Sequence, residues 1–226
     1  MSIILNIDTA SEEAHVSFAK DGQLLHSLNS ESQKEHASFL QSAIQQLTQI
    51  TGVALATIDA IAVTAGPGSY TGLRVGMASA KGLCYALNKP LITMSTLEVL
   101  TVSALELFPD TAADHLYCPM MDARRMEVFT AIYKNDLSVQ LQPCAMILDG
   151  SSFEKELQEN KIIFFGSGSE KWKLICSDPN AHFKNVSVSP QSMCKHSNWL
   201  FTEKKFTELA YSEPLYLKEF QTVINN

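Results

Sequence analysis

The residues best suited to chemistry cluster in Gly66-Pro-Gly68-Ser-Tyr-Thr-Gly72-Leu-Arg-Val-Gly76, a glycine-rich stretch that runs into helical spacing. Backbone N–H groups at such a helix start are unpaired and lie at the positive end of the helix dipole, an arrangement that binds phosphate. The stretch is not a P-loop, because no Gly-Lys-Ser/Thr closes it, and Gly-x-Gly-x-x-x-Gly has the wrong spacing for a dinucleotide fingerprint. A tight strand-to-helix turn is the competing reading. Asp8, Thr9 and Ser11 bring a carboxylate and two hydroxyls together, which suits either a nucleotide-bound metal or the capping of a turn. Asp122, Arg124, Arg125 and Glu127 form a second charged group, read either as a paired-carboxylate catalyst or as an ion-paired hairpin face. Ser69 lacks the Gly-x-Ser-x-Gly elbow and has no histidine nearby in sequence, which weakens a hydrolase reading. His15, His26, His36, His115, His182 and His196 are dispersed, and none falls in His-x-x-x-His or His-Glu-x-x-His. A sequence-local metal site is therefore not expected, and His36 reads as a surface or capping residue.

These residues need a scaffold, and the apolar spacing predicts one. Residues 3–7 form a continuous aliphatic run, the mark of a strand buried on both faces, and Asp8 ends it. Residues 15–19 and 24–28 flank Asp21-Gly22, a hairpin turn signal, so the chain opens as a three-stranded meander. From Glu35 the positions Ala37, Leu40, Ile44, Leu47 and Ile50 trace one helix face, with Gly52 as its cap. A strand at 58–63, a helix at 73–87, a strand at 90–94 and a helix capped by Ser95 with Glu98 complete β-β-β-α-β-α-β-α. A meander followed by alternating helices and strands implies a ribonuclease-H-like unit, a mixed sheet flanked by helices. A boundary is expected at Phe108-Pro109-Asp110. Beyond it lie strands at 116–121, 126–133 and 137–141, a helix at 152–158, a strand at 161–165, a turn at Gly166-Ser-Gly168 and a helix from Glu170. A strand at 186–188, a helix from Pro190 to about Leu209 and an extended tail at 214–217 close the chain. Two lobes, 1–108 and 109–226, are expected, the C-terminal segment of the second packing back.

Gly72, Gly76 and Ala80 recur every four residues in the second of these helices. Interior glycine costs about 1 kcal/mol relative to alanine, so close backbone packing must offset it, either on this chain's own sheet or on a helix of another subunit. With 226 residues, 46% hydrophobic and 18% charged, the chain is composed like a globular protein. The formal charge of −7 disfavours unaided binding of nucleic acid. No apolar run approaches the roughly 20 residues of a membrane span. The first residues carry no secretory signal, and five scattered cysteines without Cys-x-x-Cys fit reduced thiols, so a cytoplasmic location is expected.

Six segments together resemble the TsaB family: ILNIDTA at 4–10, EHASFL at 35–40, AGPGSYTGLRVGMASAKGL at 65–83, STLEVL at 95–100, MDARRMEVF at 121–129 and EPLYLK at 213–218. The resemblance implies an α/β, actin-like or sugar-kinase-like ATPase architecture of two ribonuclease-H-like lobes. It also implies kinship to TsaD, the catalytic relative, in which two histidines four residues apart hold the metal. Laid over Met94 to Leu100, that pattern puts Thr96 and Leu100 at the ligand positions, and neither replaces an imidazole. The implied role is that of a non-catalytic subunit supporting TsaD, together with a TsaE-type ATPase, in forming threonylcarbamoyladenosine in tRNA. The partners would be TsaD, TsaE and, in isolation, a second copy, with tRNA met only through the complex. No cofactor is expected on this subunit; ATP and a TsaD-bound metal are implied for the assembly. Family contacts on the N-terminal-lobe helices predict an interface at Leu40, Ile44, Leu47, Gly72, Leu73, Gly76, Met77 and Ala80. An ATPase using Asp8, Thr9 and Gly166-Ser-Gly168, or a stand-alone metallopeptidase, are the alternatives.

Overall fold

The computed structural model describes residues 1–30, 36–109 and 115–218. Strands β1 (Ile3–Asp8), β2 (Ala14–Lys20) and β3 (Gln23–Ser30) form the meander, turning at Asp21 and Gly22, both with positive φ. Helix α1 (His36–Thr51), β4 (Ala60–Gly66), α2 (Tyr70–Leu87), β5 (Leu91–Ser95) and α3 (Thr96–Leu107) follow. Glu35 and the His36 side chain lie outside the described residues. The first sheet runs β3-β2-β1-β4-β5, antiparallel through the meander and parallel from β1 to β4 and β5.

In the second half come β6 (His115–Asp122), β7 (Glu127–Tyr133), β8 (Val139–Ile147), α4 (Glu154–Glu159), β9 (Lys161–Phe165), α5 (Ser169–Lys173), β10 (Ala181–Phe183) and α6 (Pro190–Thr202). Their sheet runs β8-β7-β6-β9-β10, again an antiparallel meander joined to two parallel strands. The two sheets thus repeat one topology, although the sequence carries no visible repeat. Strand β8 contains Pro143 and is an edge strand, where a missing N–H is tolerated.

Burial on both faces of β1 follows its alternation. Leu5 and Ile7 join the core beneath α1 and α2, while Ile4 joins Met193 and Leu200 of α6 on the other face. Helix α6, from the end of the chain, thus packs on the first sheet and on α3. Helix α3 touches both sheets: Val99 belongs to the α6-side core, and Leu100 and Ala104 pack with Tyr117, Ile163 and Phe165 of the second sheet.

Three local expectations are corrected. The strand expected at 186–188 does not form; the pairing with β9 is made by Ala181–Phe183, and Val186 is buried by packing alone. Helix α6 stops at Thr202 because Lys204 turns left-handed (φ +55) and the Lys205 N–H closes back on Leu200 O at 2.9 Å. Ser95 occupies the N-cap position of α3 but makes no capping bond, and Glu98 turns to His196 Nε2 of α6, 3.3 Å away.

Candidate functional site

Parallel strands with helical crossovers put their carboxyl ends on one edge of each sheet. Asp8 ends β1, the glycine turn ends β4, Ser95 ends β5, Asp122 ends β6 and Gly166 follows β9. Asp8 is 1% exposed; its Oδ1 accepts from Thr64 Oγ1 at 2.7 Å and from the Ala10 N–H at 3.0 Å, while Oδ2 is buried without a partner. Asp8 thus holds the turn, and one of its oxygens is left over. The glycine stretch folds against the loop after β1: the Ser69 N–H donates to Ala10 O at 2.7 Å, and a Cβ on Gly68 would collide with that carbonyl. Gly66 has φ +122 and lies under the Leu215 carbonyl, 2.6 Å from where its Cβ would be. Ser69 caps α2 by accepting from the Gly72 N–H at 3.2 Å. The tight-turn reading therefore holds, and the side of the turn facing β1 offers no open phosphate cradle.

The same packing explains the small residues of α2. Thr9 Oγ1 donates to Gly72 O at 2.8 Å, and a Cβ on Gly76 would overlap that hydroxyl oxygen. The compensation for two helical glycines is thus contact with the chain's own first sheet. This corrects the choice of interface residues: Leu40, Ile44, Leu47, Gly72, Leu73, Gly76, Met77 and Ala80 are all buried in the chain's interior. The 3.6-residue period identified the helix faces that bury apolar surface, and these face the sheet. The outward faces carry Gln41, Gln45, Gln49 and Ile50 on α1 and Ala78, Gly82, Tyr85 and Ala86 on α2. Nothing lies within 4 Å of a Cβ at Gly82, and Tyr85 is 84% exposed.

On the second sheet, the β6–β7 hairpin carries the second charged group. Asp122 pairs with Lys171 of α5 at 2.6 Å, and Glu127 takes both carboxylate oxygens to Lys218 Nζ at 2.7 and 3.0 Å. The two carboxylates do not face one another as a catalytic pair; each is neutralised by a lysine from another segment. Among the described residues no three His, Cys, Asp or Glu side chains gather as a metal donor set. Thr96 and Leu100 are both buried, and Leu100 packs against apolar side chains of the second sheet. Burial pushes the Cys84 and Cys194 thiols up to about 11 and raises Cys118 further, so these sulfurs stay protonated at neutral pH.

With this geometry established, the relatives become informative. The family described as TsaD: tRNA N6-adenosine threonylcarbamoyltransferase matches residues 28–211. The tRNA threonylcarbamoyladenosine biosynthesis protein TsaB of Bacillus subtilis is 30% identical over 221 residues, covering 95% of this chain and 93% of its own. The chain belongs to the TsaB family. The Escherichia coli TsaB is 26% identical over 95% of this chain and 94% of its own. A Pseudomonas aeruginosa crystal structure, described as an uncharacterized protein with similarity to peptidase YEAZ, superposes with TM-score 0.78 at 23% identity, over 96% of this chain and 100% of that one. A polyphosphate/ATP-glucomannokinase from Arthrobacter superposes at TM-score 0.53 and 10% identity, over 90% and 100%. These likenesses establish the actin-like, sugar-kinase-like fold. No helix among the described residues is long and apolar enough to cross a membrane.

The extended tail expected to pack back forms, in this TsaB-family chain, a strap over α2. Thr207 N bonds Leu91 O at 2.8 Å on the edge strand, and Lys81 Nζ holds the Ser212 carbonyl at 2.8 Å. The Leu215 N–H reaches Ala65 O at 2.7 Å, and Arg74 lies over the Tyr70 ring and donates to Tyr216 OH at 3.0 Å. The signal in the sequence was Leu-Tyr-Leu at 215–217; the partners of Leu215 and Tyr216, Ala65 and Arg74, lie more than 140 residues earlier.

Proposed function

We propose that this chain is the non-catalytic supporting subunit of tRNA threonylcarbamoyl transfer, docking a TsaD-type catalytic relative and, through the assembly, a TsaE-type ATPase. Membership of the TsaB family carries the role in tRNA threonylcarbamoyladenosine biosynthesis. The observation that supports a non-catalytic part in it is Leu100, the position matched to a metal-binding histidine of TsaD. Its side chain is 4% exposed, in contact distance of the Gly166 turn, and packed with Tyr117, Ile163 and Phe165. A hydrocarbon there supplies no lone pair, and Thr96 alone is a poor ligand for a transition metal. The metal and the ATP of the reaction then belong to the partners.

The docking surface is the outward side of α1 and α2. Helix α1 has no acidic, lysine or arginine side chain in its 16 residues, and α2 adds Ala78 and Gly82 beside Tyr85. A face that is uncharged on α1 and presents small residues and an exposed aromatic on α2, with Arg74 and Lys81 at its side, suits close approach of a partner helix. In the absence of the partner, a second copy would use the same face. Gly82→Arg tests the surface, since Gly82 is exposed and nothing in the chain lies within 4 Å of a Cβ there. Calorimetry against a TsaD-type partner is expected to give at least a tenfold loss of affinity at a thermal stability equal to or above that of the parent, and undiminished affinity would sink the placement. The purified chain is expected to transfer no threonylcarbamoyl group by itself; transfer after rigorous exclusion of TsaD would reject the non-catalytic assignment.

A further inference from the structure

Arg124 and Arg125 form the tip of the β6–β7 hairpin, and both are exposed. Their flanking carboxylates are already engaged, Asp122 by Lys171 and Glu127 by Lys218. Neither guanidinium pairs with an acid among the described residues. The backbone that presents them is unusual: φ is +70 at Arg124 and +50 at Arg125, two consecutive left-handed residues. A Cβ crowds the backbone in that region, so glycine, asparagine or aspartate is the ordinary occupant. The turn is nonetheless well tied. Arg124 N–H donates to Asp122 Oδ1 at 2.5 Å, Glu127 N–H to Arg124 O at 3.1 Å, Ala123 N–H to Glu127 O at 3.1 Å, and Leu148 N–H to Met126 O at 2.7 Å.

Two strained positions thus hold two adjacent arginines whose charges serve no internal pair. Neither turn chemistry nor ion pairing within the chain accounts for the choice of residue, and strain of this kind concentrates where function requires it. The guanidinium fork matches two oxygens of a phosphate at once, and phosphate contacts position a protein on nucleic acid without reading its sequence. The chain as a whole repels a polyanion, with a net charge of −7, which confines attraction to a local point.

We infer that the Arg124–Arg125 turn contacts backbone phosphates of the tRNA during threonylcarbamoyl transfer. This inference rests on the role proposed above. It assigns to this chain a small, positioning share of the RNA contact, with most of the affinity supplied by the assembly.

The test measures binding of fluorescently labelled tRNA, by anisotropy across a salt series, to the full chain alone and to the chain with its TsaD-type partner. R124E/R125E is expected to weaken binding about tenfold or more and to make the salt slope shallower by about 1 to 2, as loss of two phosphate contacts requires. R124K/R125K, which keeps the charge, is expected to retain most of the affinity. R124N/R125G removes the charge while easing the backbone, so it should lose binding with a melting temperature equal to or above that of the parent, which separates loss of contact from loss of fold. Equal affinity and equal slope for parent and R124E/R125E would overturn the inference, as would absence of tRNA binding by the parent both alone and with partner. Weakened binding of free ATP with tRNA binding intact would overturn it too, assigning the arginines to a nucleotide. Failure of the parent to bind the TsaD-type partner in size-exclusion chromatography would count against the proposed function, while the measurements on the chain alone still decide the arginines.

Discussion

Two glycines in one helix are expected to respond in opposite directions to the same substitution. Alanine in place of glycine inside a helix gains about 1 kcal/mol through backbone entropy. At Gly82 nothing stands within 4 Å of the new methyl group, so Gly82→Ala should raise stability by about that amount. At Gly76 the methyl group would overlap Thr9 Oγ1, which donates to Gly72 O at 2.8 Å in the buried seam between α2 and β1. Displacing Thr9 loses a buried hydrogen bond, about 1 kcal/mol, and overpacks a closed interior, about 1–3 kcal/mol more. After the helical gain is subtracted, Gly76→Ala should destabilise by about 1–3 kcal/mol. The two variants would then differ by about 2–4 kcal/mol, or roughly 5–15 °C in melting temperature for a domain of this size. Thermal and urea unfolding followed by circular dichroism measure this directly. Thr9→Ala removes the obstructing hydroxyl, so T9A/G76A should be less unstable than the sum of its single variants. A Gly76→Ala protein as stable as Gly82→Ala, or a double variant that is simply additive, would refute the close approach of α2 to Thr9. The same reasoning makes substitutions at Gly76 and Ala80 unsuitable as probes of a partner interface, since they act on folding first.

The strap and the buried thiols give two further expectations. Arg74→Ala removes both the stacking on Tyr70 and the bond to Tyr216, and should speed amide exchange of residues 213–218 severalfold in hydrogen-exchange mass spectrometry; unchanged exchange would show that Lys81, Thr207 and Lys218 hold the strap without it. Cys84 and Cys194 keep their protons in the fold up to about pH 11, whereas the unfolded chain releases them near 9, so the native state binds more protons in that window. Stability should therefore fall as pH rises from 9 and go on falling above 11, because Cys118 and Tyr133 hold their protons still longer in the fold, and native-state alkylation at pH 8 should spare Cys84 and Cys194; urea melts independent of pH from 9 to 11, or rapid labelling of Cys84, would contradict their burial.

Much of the scaffold was legible because its signals are local. The aliphatic run before Asp8, the Asp-Gly hairpin, the helix ending before Gly52 and the break at Gly66-Pro67 each follow from backbone preference and apolar period. The extent of α6 and the position of β10 were not legible, since one depends on a left-handed lysine and the other on which three residues meet β9. The glycine helix is the sharper case. Its spacing announced close packing but not the packing partner, because a small-residue stripe looks the same whether it meets a β-strand of its own chain or a foreign helix. The carboxylates of the β6–β7 hairpin pose the same limit: their neighbours in sequence are arginines, yet Lys171 and Lys218 neutralise them.

The sequence by itself determined the order of strands and helices and the family. Only the tertiary structure decided that the predicted interface residues are core, that small and aromatic side chains of α2 face outward beside Arg74, and that two arginines have no acidic partner among the described residues. The physical reason is that secondary structure answers to neighbours a few residues away. Burial and charge pairing answer to neighbours in space, and here those come from Thr9 against Gly76 and from Lys218 against Glu127, across the length of the chain.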